Sequence, residues 1–288
     1  MKATDLYNQL EKDFVNSEFA EDWFDDKDVY DSSIEEYICD NFKQRSMGLL
    51  CDFTDKINRV YTAVFPSDKV MTKILEDEIS DAMLFLHHPL SWDLSKDPNV
   101  AFYQINIELL RKLKEHRVSL FNFHLPLDNY SEYSTSKTLA EALGIVIERP
   151  FNLYCGALCG IIGKTDCKDI HELNDRYTQV VGHETKLYQY GESEITDSRI
   201  GICAGGGNDY GVVSELIENG INVLISGLTV NNSYSAAVHD MEKENKVNLI
   251  GGTHYSSEKY ACMAICKYFE KLGLQTEFVE DFPCFEDL

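Results

Sequence analysis

Ala82-Met-Leu-Phe-Leu-His-His-Pro-Leu90 carries an unbroken apolar run straight into two adjacent histidines and a proline. Two further stretches repeat the arrangement. Val118-Ser-Leu-Phe-Asn-Phe-His-Leu-Pro-Leu-Asp128 brings His124 and Asp128 to the end of a second run, and Val247-Asn-Leu-Ile-Gly-Gly-Thr-His-Tyr-Ser-Ser-Glu258 brings His254 and Glu258 to the end of a third. Short apolar runs of this kind read as buried strands. In open α/β sheets the strand ends form the ligand crevice. Four histidines and two carboxylates at three strand ends point to a metal site assembled from distant parts of the chain.

The sequence around these runs supplies the helices that such a sheet needs. Arg59–Phe65 reads as a strand and Pro66-Ser-Asp68 as a turn and helix cap, followed by a helix over 68–80. Ile105, Leu109, Leu110 and Leu113 recur at helical spacing and predict an amphipathic helix over 101–116. Ser134–Leu143 is helical, with Gly144 as its natural terminator. Alternating strands and helices predict an α/β fold with mixed or mostly parallel sheets. Beyond it, Tyr154–Gly163 is strand-like and Ile170–Val181 holds a helix. Strands at Arg199–Cys203 and Ile221–Ile225 flank a glycine-rich loop and a helix reaching Leu216. The last strand, 247–250, leads into a long helix over 257–272.

Residues 1–45 form an acidic region, densest at Glu21-Asp-Trp-Phe-Asp-Asp-Lys-Asp28, and are expected to be helical with a solvated acidic face. Residues 46–145 with 246–288 then make a metal-ligand lobe, and 146–245 a second α/β lobe. The third ligand segment lies far beyond the second, so two interlinked lobes are expected, acting as one functional unit.

The chain has 288 residues, enough for a substantial core. Its 49 acidic against 26 basic residues, a formal charge of −23, suit cations and argue against nucleic acid, whose phosphates require concentrated Lys and Arg. No basic start with an apolar core, and no apolar stretch of membrane-spanning length, is present, so a soluble cytoplasmic protein is expected. The nine scattered cysteines fit a reduced compartment better than a disulfide framework. Cys262 and Cys266 lie four apart on a helix, where buried inert thiols are favoured over a soft-metal pair.

Each ligand segment has a bland alternative. Adjacent residues on a strand face opposite ways, so His87 and His88 share a site only if the strand ends there; otherwise one packs in the core and one is exposed. Asp128 could ligate a metal, bridge two ions or cap the following helix, and His124 could ligate, orient a ligand, transfer protons or bond to backbone. His254 and Glu258 share a helix face, about 5–6 Å apart at Cβ, if the helix starts near His254. If Ser256 or Ser257 caps it instead, Glu258 belongs to the first turn. Gly251-Gly252 allows close backbone approach. Taken together, the donors are imidazole and carboxylate rather than thiolate, which suits Zn²⁺, Mn²⁺ or Fe²⁺ in an open site. His87, His88, Asp128, His254 and Glu258 exceed the needs of one open catalytic ion. They fit two ions about 3.5–4 Å apart sharing a carboxylate and a water.

Four ordered segments, Leu-His87-His88-Pro-Leu, His124-Leu-Pro-Leu-Asp128, Cys203-Ala-Gly-Gly-Gly-Asn208-Asp209 and Gly252-Thr-His254-Tyr-Ser-Ser-Glu258, resemble the Nif-three-like dinuclear-metal-centre family. Its members are known as GTP cyclohydrolase 1 type 2 homologs. The resemblance covers about residues 46–285. It implies that His87, His88, Asp128, His254 and Glu258 bind two divalent metal ions. It further implies two interlinked α/β lobes, a homohexamer, and attack of a metal-activated water on a purine nucleotide; in such a reaction His124 is the candidate catalytic residue that shuttles protons.

The loop Gly205-Gly206-Gly207-Asn208 follows a strand and precedes a helix. Its N–H groups could hold a phosphate at the helix N-terminus, and this loop is the candidate for binding a nucleotide or other phosphorylated small molecule. It matches neither a dinucleotide fingerprint nor a P-loop, so a structural tight turn stands beside that reading. The chain departs from the family at Ser226-Gly-Leu-Thr-Val-Asn-Asn232, which lacks the usual acid and following histidine, and in its acidic N-terminal region. The first departure bears on substrate and turnover, and it motivates an alternative: a non-catalytic metal-binding regulatory or scaffold assembly.

Overall fold

The computed structural model describes residues 1–21, 30 and 32–288. Helices α1 (Ala3–Phe14), α2 (Ser32–Glu35) and α3 (Asp40–Arg45) precede β1 (Gly48–Cys51), β2 (Arg59–Ala63), α4 (Asp68–Glu76) and β3 (Ala82–Leu86). Next come β4 (Ser91–Trp92), β5 (Phe102–Tyr103), α5 (Ile107–Glu115), β6 (Val118–Asn122) and the single turn α6 (Leu125–Asp128). Then follow α7 (Thr135–Ala142), β7 (Val146–Tyr154), β8 (Ala157–Lys164), α8 (Ile170–Val181) and β9 (Lys186–Tyr188). The remainder is β10 (Arg199–Cys203), α9 (Tyr210–Glu218), β11 (Val223–Ser226), α10 (Ala236–Asn245), β12 (Asn248–Gly251), α11 (His254–Lys271) and β13 (Gln275–Phe278). The expected solvated helical face over Glu21–Asp28 lies, from residue 22 on, outside the described residues.

The chain divides into two compact units, Met1–Leu127 with Cys262–Phe282, and Asp128–Ala261 with Pro283–Leu288. The boundaries fall inside α6 and α11. Both units are mixed α/β, the fold class that the alternation of strands and helices indicates.

In the first unit the sheet order is β1-β6-β3-β2-β13. The last four strands in that order pair in parallel, and β1 is an antiparallel edge. Every residue of β3 and β6 is buried, as expected of strands covered on both faces. Tyr61, Leu84 and Leu120 share one core cluster with Val70, Ile74 and Leu110 from the covering helices. Ser67 caps α4 by accepting the Val70 N–H at 3.2 Å. The helix expected over 101–116 is shorter. Phe102–Tyr103 pairs with Ser91–Trp92 instead, and Asn106 accepts the Glu108 and Leu109 N–H groups to start α5. Local strand pairing and a strong Asn cap override helical spacing there.

In the second unit the order is β7-β8-β10-β11-β12-β9, with β10, β11 and β12 parallel and the outer pairs antiparallel. Ile202, Ile225 and Ile250 face one core cluster, and Leu224 and Leu249 the other, as alternation along a strand requires. The strand expected from Tyr154 begins at Ala157. Cys155 and Gly156, both at positive φ (47° and 88°), form the tight turn of a β7–β8 hairpin. Gly144 ends the α7 region at φ 71°. Among the described residues, no helix is long and apolar enough to cross a membrane.

Candidate metal centre

The strand ends of the first unit place three histidines together. β3 stops at Leu86, so His87 and His88 are freed from strand alternation. Their N–H groups still bond the carbonyls of Ala63 (3.1 Å) and Val64 (2.8 Å), and Asn122 Nδ2 donates to the His87 carbonyl at 2.6 Å. Both rings are buried, at 0% and 1% exposure, which overturns the reading of one core and one exposed histidine. The His87 ring contacts the Phe123 carbonyl through Nδ1 (3.2 Å), and the His88 ring stacks on Phe65 at 4.7 Å between centroids. His124, directly after β6, lies 4.9 Å from the His87 ring and 4.7 Å from the His88 ring. One ligand nitrogen from each of the three lies within 4.8 Å of the others. His124 Nδ1 pairs with the Glu21 carboxylate.

In the second unit α11 begins at His254 rather than at the serines. Thr253 accepts the Ser256 N–H at 3.2 Å, and the buried Asp287 carboxylate accepts the His254 N–H at 2.8 Å. Thr253 sits at φ 67°, a left-handed conformation costly for a β-branched residue and characteristic of functional sites. With the helix starting there, His254 and Glu258 share a face, and Nε2 and Oε1 are 3.2 Å apart, both residues buried. Gly205 closes over this pair. A Cβ there would lie 2.0 Å from Glu258 Oε1 and 3.1 Å from His254 Nε2, at φ 62°. Ser257 accepts the Gly205 N–H (2.8 Å) and donates to the His254 carbonyl (2.8 Å), while Ser136 accepts the Ala204 N–H (3.1 Å).

Asp128 does not cap the following helix; it accepts the Thr135 hydroxyl at 2.6 Å. In the glycine loop, Asp209 caps α9 by accepting the Gly211 N–H, and Gly206 opens onto free space. The Asn208 amide nitrogen and oxygen are both buried without a hydrogen-bond partner. The segment from Ser226 is used structurally. Gly227 and Leu228 donate to the Gly205 carbonyl, and Thr229 and Val230 to the Asp287 carbonyl. Gly251 and Gly252 make room for the side chains of Thr229 and Tyr177. Burial pushes the Cys203 thiol well above its usual range, and the carboxylates of Asp128, Asp209 and Glu258 push it further. It is therefore an inert packing group. Cys262 donates to the Ala63 carbonyl and Cys266 to its neighbour's carbonyl, consistent with inert thiols.

Clustered imidazoles drawn from strand ends, and a buried His–Glu pair against a glycine with no room for a methyl group, are the chemistry of divalent-metal ligation. The clustered histidines and the carboxylate pair could hold a metal ion. Four supports were not legible as functional: Glu21, Ser136, Ser257 and Asp287. Only Ser257 lay inside a motif.

A mixed α/β fold with histidine and carboxylate donors at its strand ends defines a candidate metalloprotein. The family model Duf34/NIF3 (NGG1p interacting factor 3) matches residues 35–282, and the chain belongs to that family. It is similar to the GTP cyclohydrolase 1 type 2 homolog of Pyrococcus horikoshii, 27% identical over 241 residues covering 81% of this chain and 88% of the relative. The protein of the same name from Borreliella burgdorferi is 26% identical over 256 residues, covering 89% and 93%. Among solved structures, reduced HcgD from Methanocaldococcus jannaschii shares the fold with TM-score 0.66 and 21% identity over 98% of each chain. The protein ybgI, of unknown function, does so with TM-score 0.72 and 17% identity over 99% of this chain and 100% of that one.

Proposed function

We propose that this protein is a metal-dependent hydrolase of the GTP cyclohydrolase 1 type 2 kind, acting on a purine nucleotide. In this reading His87, His88, Asp128, His254 and Glu258 hold two divalent ions of zinc, iron or manganese. The observation that carries it is the His254–Glu258 pair, set on one helix face by a helix that starts at His254 and roofed by Gly205. The clustering of His87 and His88 supports it, as do the names of the relatives. Bound there, divalent cations supply Lewis acidity and a water acidic enough to react near neutral pH.

The chain's own groups would do the rest. Gly206 and Gly207 offer backbone N–H groups at the start of α9, where a nucleotide phosphate is stabilised by unpaired amides and the helix dipole. Asn208, with its amide buried and unpartnered, would complete its hydrogen bonds on substrate. His124 would carry the proton as a first water adds to C8 of the purine and the imidazole ring opens to a formamide, which a second water hydrolyses to release formate. The protein is expected to work in the cytoplasm as a homohexamer.

Elemental analysis of protein expressed in metal-replete medium is expected to give about two ions per chain, with GTP consumed and formate released. Absence of metal refutes the site. Metal without turnover of GTP or another phosphorylated nucleotide refutes only the reaction. It would favour the second reading, a non-catalytic metal-binding regulatory or scaffold assembly. That reading draws on Ser226–Asn232, which carries no acid or imidazole and whose backbone is engaged in holding Gly205 and Asp287.

A further inference from the structure

The three-histidine cluster has a partner that no family motif contains. Glu21 lies outside the part of the chain matched by the family, which starts at residue 35. Yet its carboxylate pairs directly with His124 Nδ1, with side-chain exposures of 9% and 15%. An acidic residue at the head of an acidic run of sequence is expected to be solvated. This one is withdrawn from solvent, and its second oxygen, Oε2, is buried with no hydrogen-bond partner. A half-satisfied buried carboxylate is costly unless a cation stands nearby to offset it.

From this we infer that Glu21 is a positioning residue for the metal centre, a carboxylate that the N-terminal region sets behind His124. The inference rests on the metal-binding reading above. An imidazole whose Nδ1 faces a carboxylate carries its proton on Nδ1, so its lone pair is on Nε2. The pair therefore fixes the His124 tautomer and ring orientation and raises the basicity of Nε2, the arrangement that carboxylates impose on metal-bound histidines. His124 lies within ligand distance of His87 and His88. Held in this way, its Nε2 lone pair faces the ion held by His87 and His88, placed to accept the proton that the proposed reaction releases there. The negative charge of Glu21 also compensates a cation held by neutral rings. Glu21 thus reaches His124 at the site.

The test uses the full chain and two readouts. In metal-free protein labelled with nitrogen-15 at histidine, His124 (assigned through His124→Gln) is expected to show the Nδ1–H tautomer. That pattern should shift in Glu21→Gln and be restored in Glu21→Asp. In chelator competition with Zn²⁺, Glu21→Gln should bind about 10–100-fold more weakly than wild type, with Glu21→Asp in between and all three melting alike. An Nε2–H tautomer in wild type, or a Glu21→Gln protein with unchanged tautomer and unchanged zinc affinity, overturns the inference. Should wild type bind no zinc, the metal-binding reading fails. The tautomer comparison, made without metal, then decides separately whether Glu21 positions His124.

Discussion

Replacing Gly205 with alanine tests whether the glycine exists for the ligand pair or merely for its backbone turn. Gly205 has φ 62°, and a Cβ on it would sit 2.0 Å from Glu258 Oε1, 3.0 Å from Cδ and 3.1 Å from His254 Nε2. Gly144 supplies the control, since its φ is 71° and a Cβ there meets nothing within 4 Å. Both substitutions carry the left-handed penalty for an L-residue, about 1–2 kcal/mol. Only Gly205→Ala adds overpacking, about 1–3 kcal/mol, because the Glu258 carboxylate it would push aside is buried, and the loop itself is tied by Ser257 and Ser136. The expected order is a fall in melting temperature of a few degrees for Gly144→Ala and about twice that for Gly205→Ala, at roughly 2–4 °C per kcal/mol. Displacing the Glu258 carboxylate should also lower zinc affinity about 10–100-fold in Gly205→Ala and leave it unchanged in Gly144→Ala. Differential scanning fluorimetry and chelator competition read the two effects independently. Equal destabilisation of both variants, with wild-type zinc affinity in Gly205→Ala, would refute the argument that Gly205 is shaped by the ligand pair.

The buried pair behind β12 gives a pH prediction. His239 Nε2–H donates to the Thr229 carbonyl (3.1 Å), and its Nδ1 faces the Tyr190 hydroxyl (2.8 Å) and the Glu242 carboxyl (3.4 Å); burial lowers its pKa and so favours the neutral ring. Burial raises Glu242, at 0% exposure, from 4.5 to about 8, so it is held as the acid. A carboxyl raised on folding makes the unfolded chain lose its proton first. The Glu242 contribution therefore disappears as pH climbs from about 4.5 through 8, on the order of 5 kcal/mol in all. His239 acts in the opposite direction, its contribution being lost as pH falls below 6.5. Glu242→Gln should flatten the alkaline decline in urea-melt stability; an unchanged slope above pH 7 would contradict it. Asp287→Ala removes the acceptor for the His254 N–H and should cost about 1 kcal/mol or more together with weaker zinc binding, against equal zinc binding if the tail is only packing. Asn208→Ala should raise the KM for a nucleotide substrate while metal content stays at the wild-type value, and a loss of metal would move Asn208 to a structural role.

The strands that position the site were readable because they are buried on both faces, and continuous apolar runs such as Ala82–Leu86 have few other uses. β7 was not, since Val146–Tyr154 is largely exposed and contains Pro150, which a strand tolerates at its sheet edge. The start of α11 turned on Thr253, whose left-handed φ has no sequence signature, while Ser256 and Ser257 offered the ordinary cap. Glu21, Ser136 and Asp287 reach their partners from far along the chain, and no local pattern announces such contacts. The donors were legible because histidines at strand ends are conspicuous; the groups that orient them were not.

Anomalous diffraction from crystals of metal-loaded protein, collected at the absorption edge of the bound ion, tests the central proposal most directly. Two peaks about 3.5–4 Å apart, ligated by His87, His88, Asp128, His254 and Glu258, are expected. No peak at these residues, or peaks confined to surface carboxylates, would contradict it.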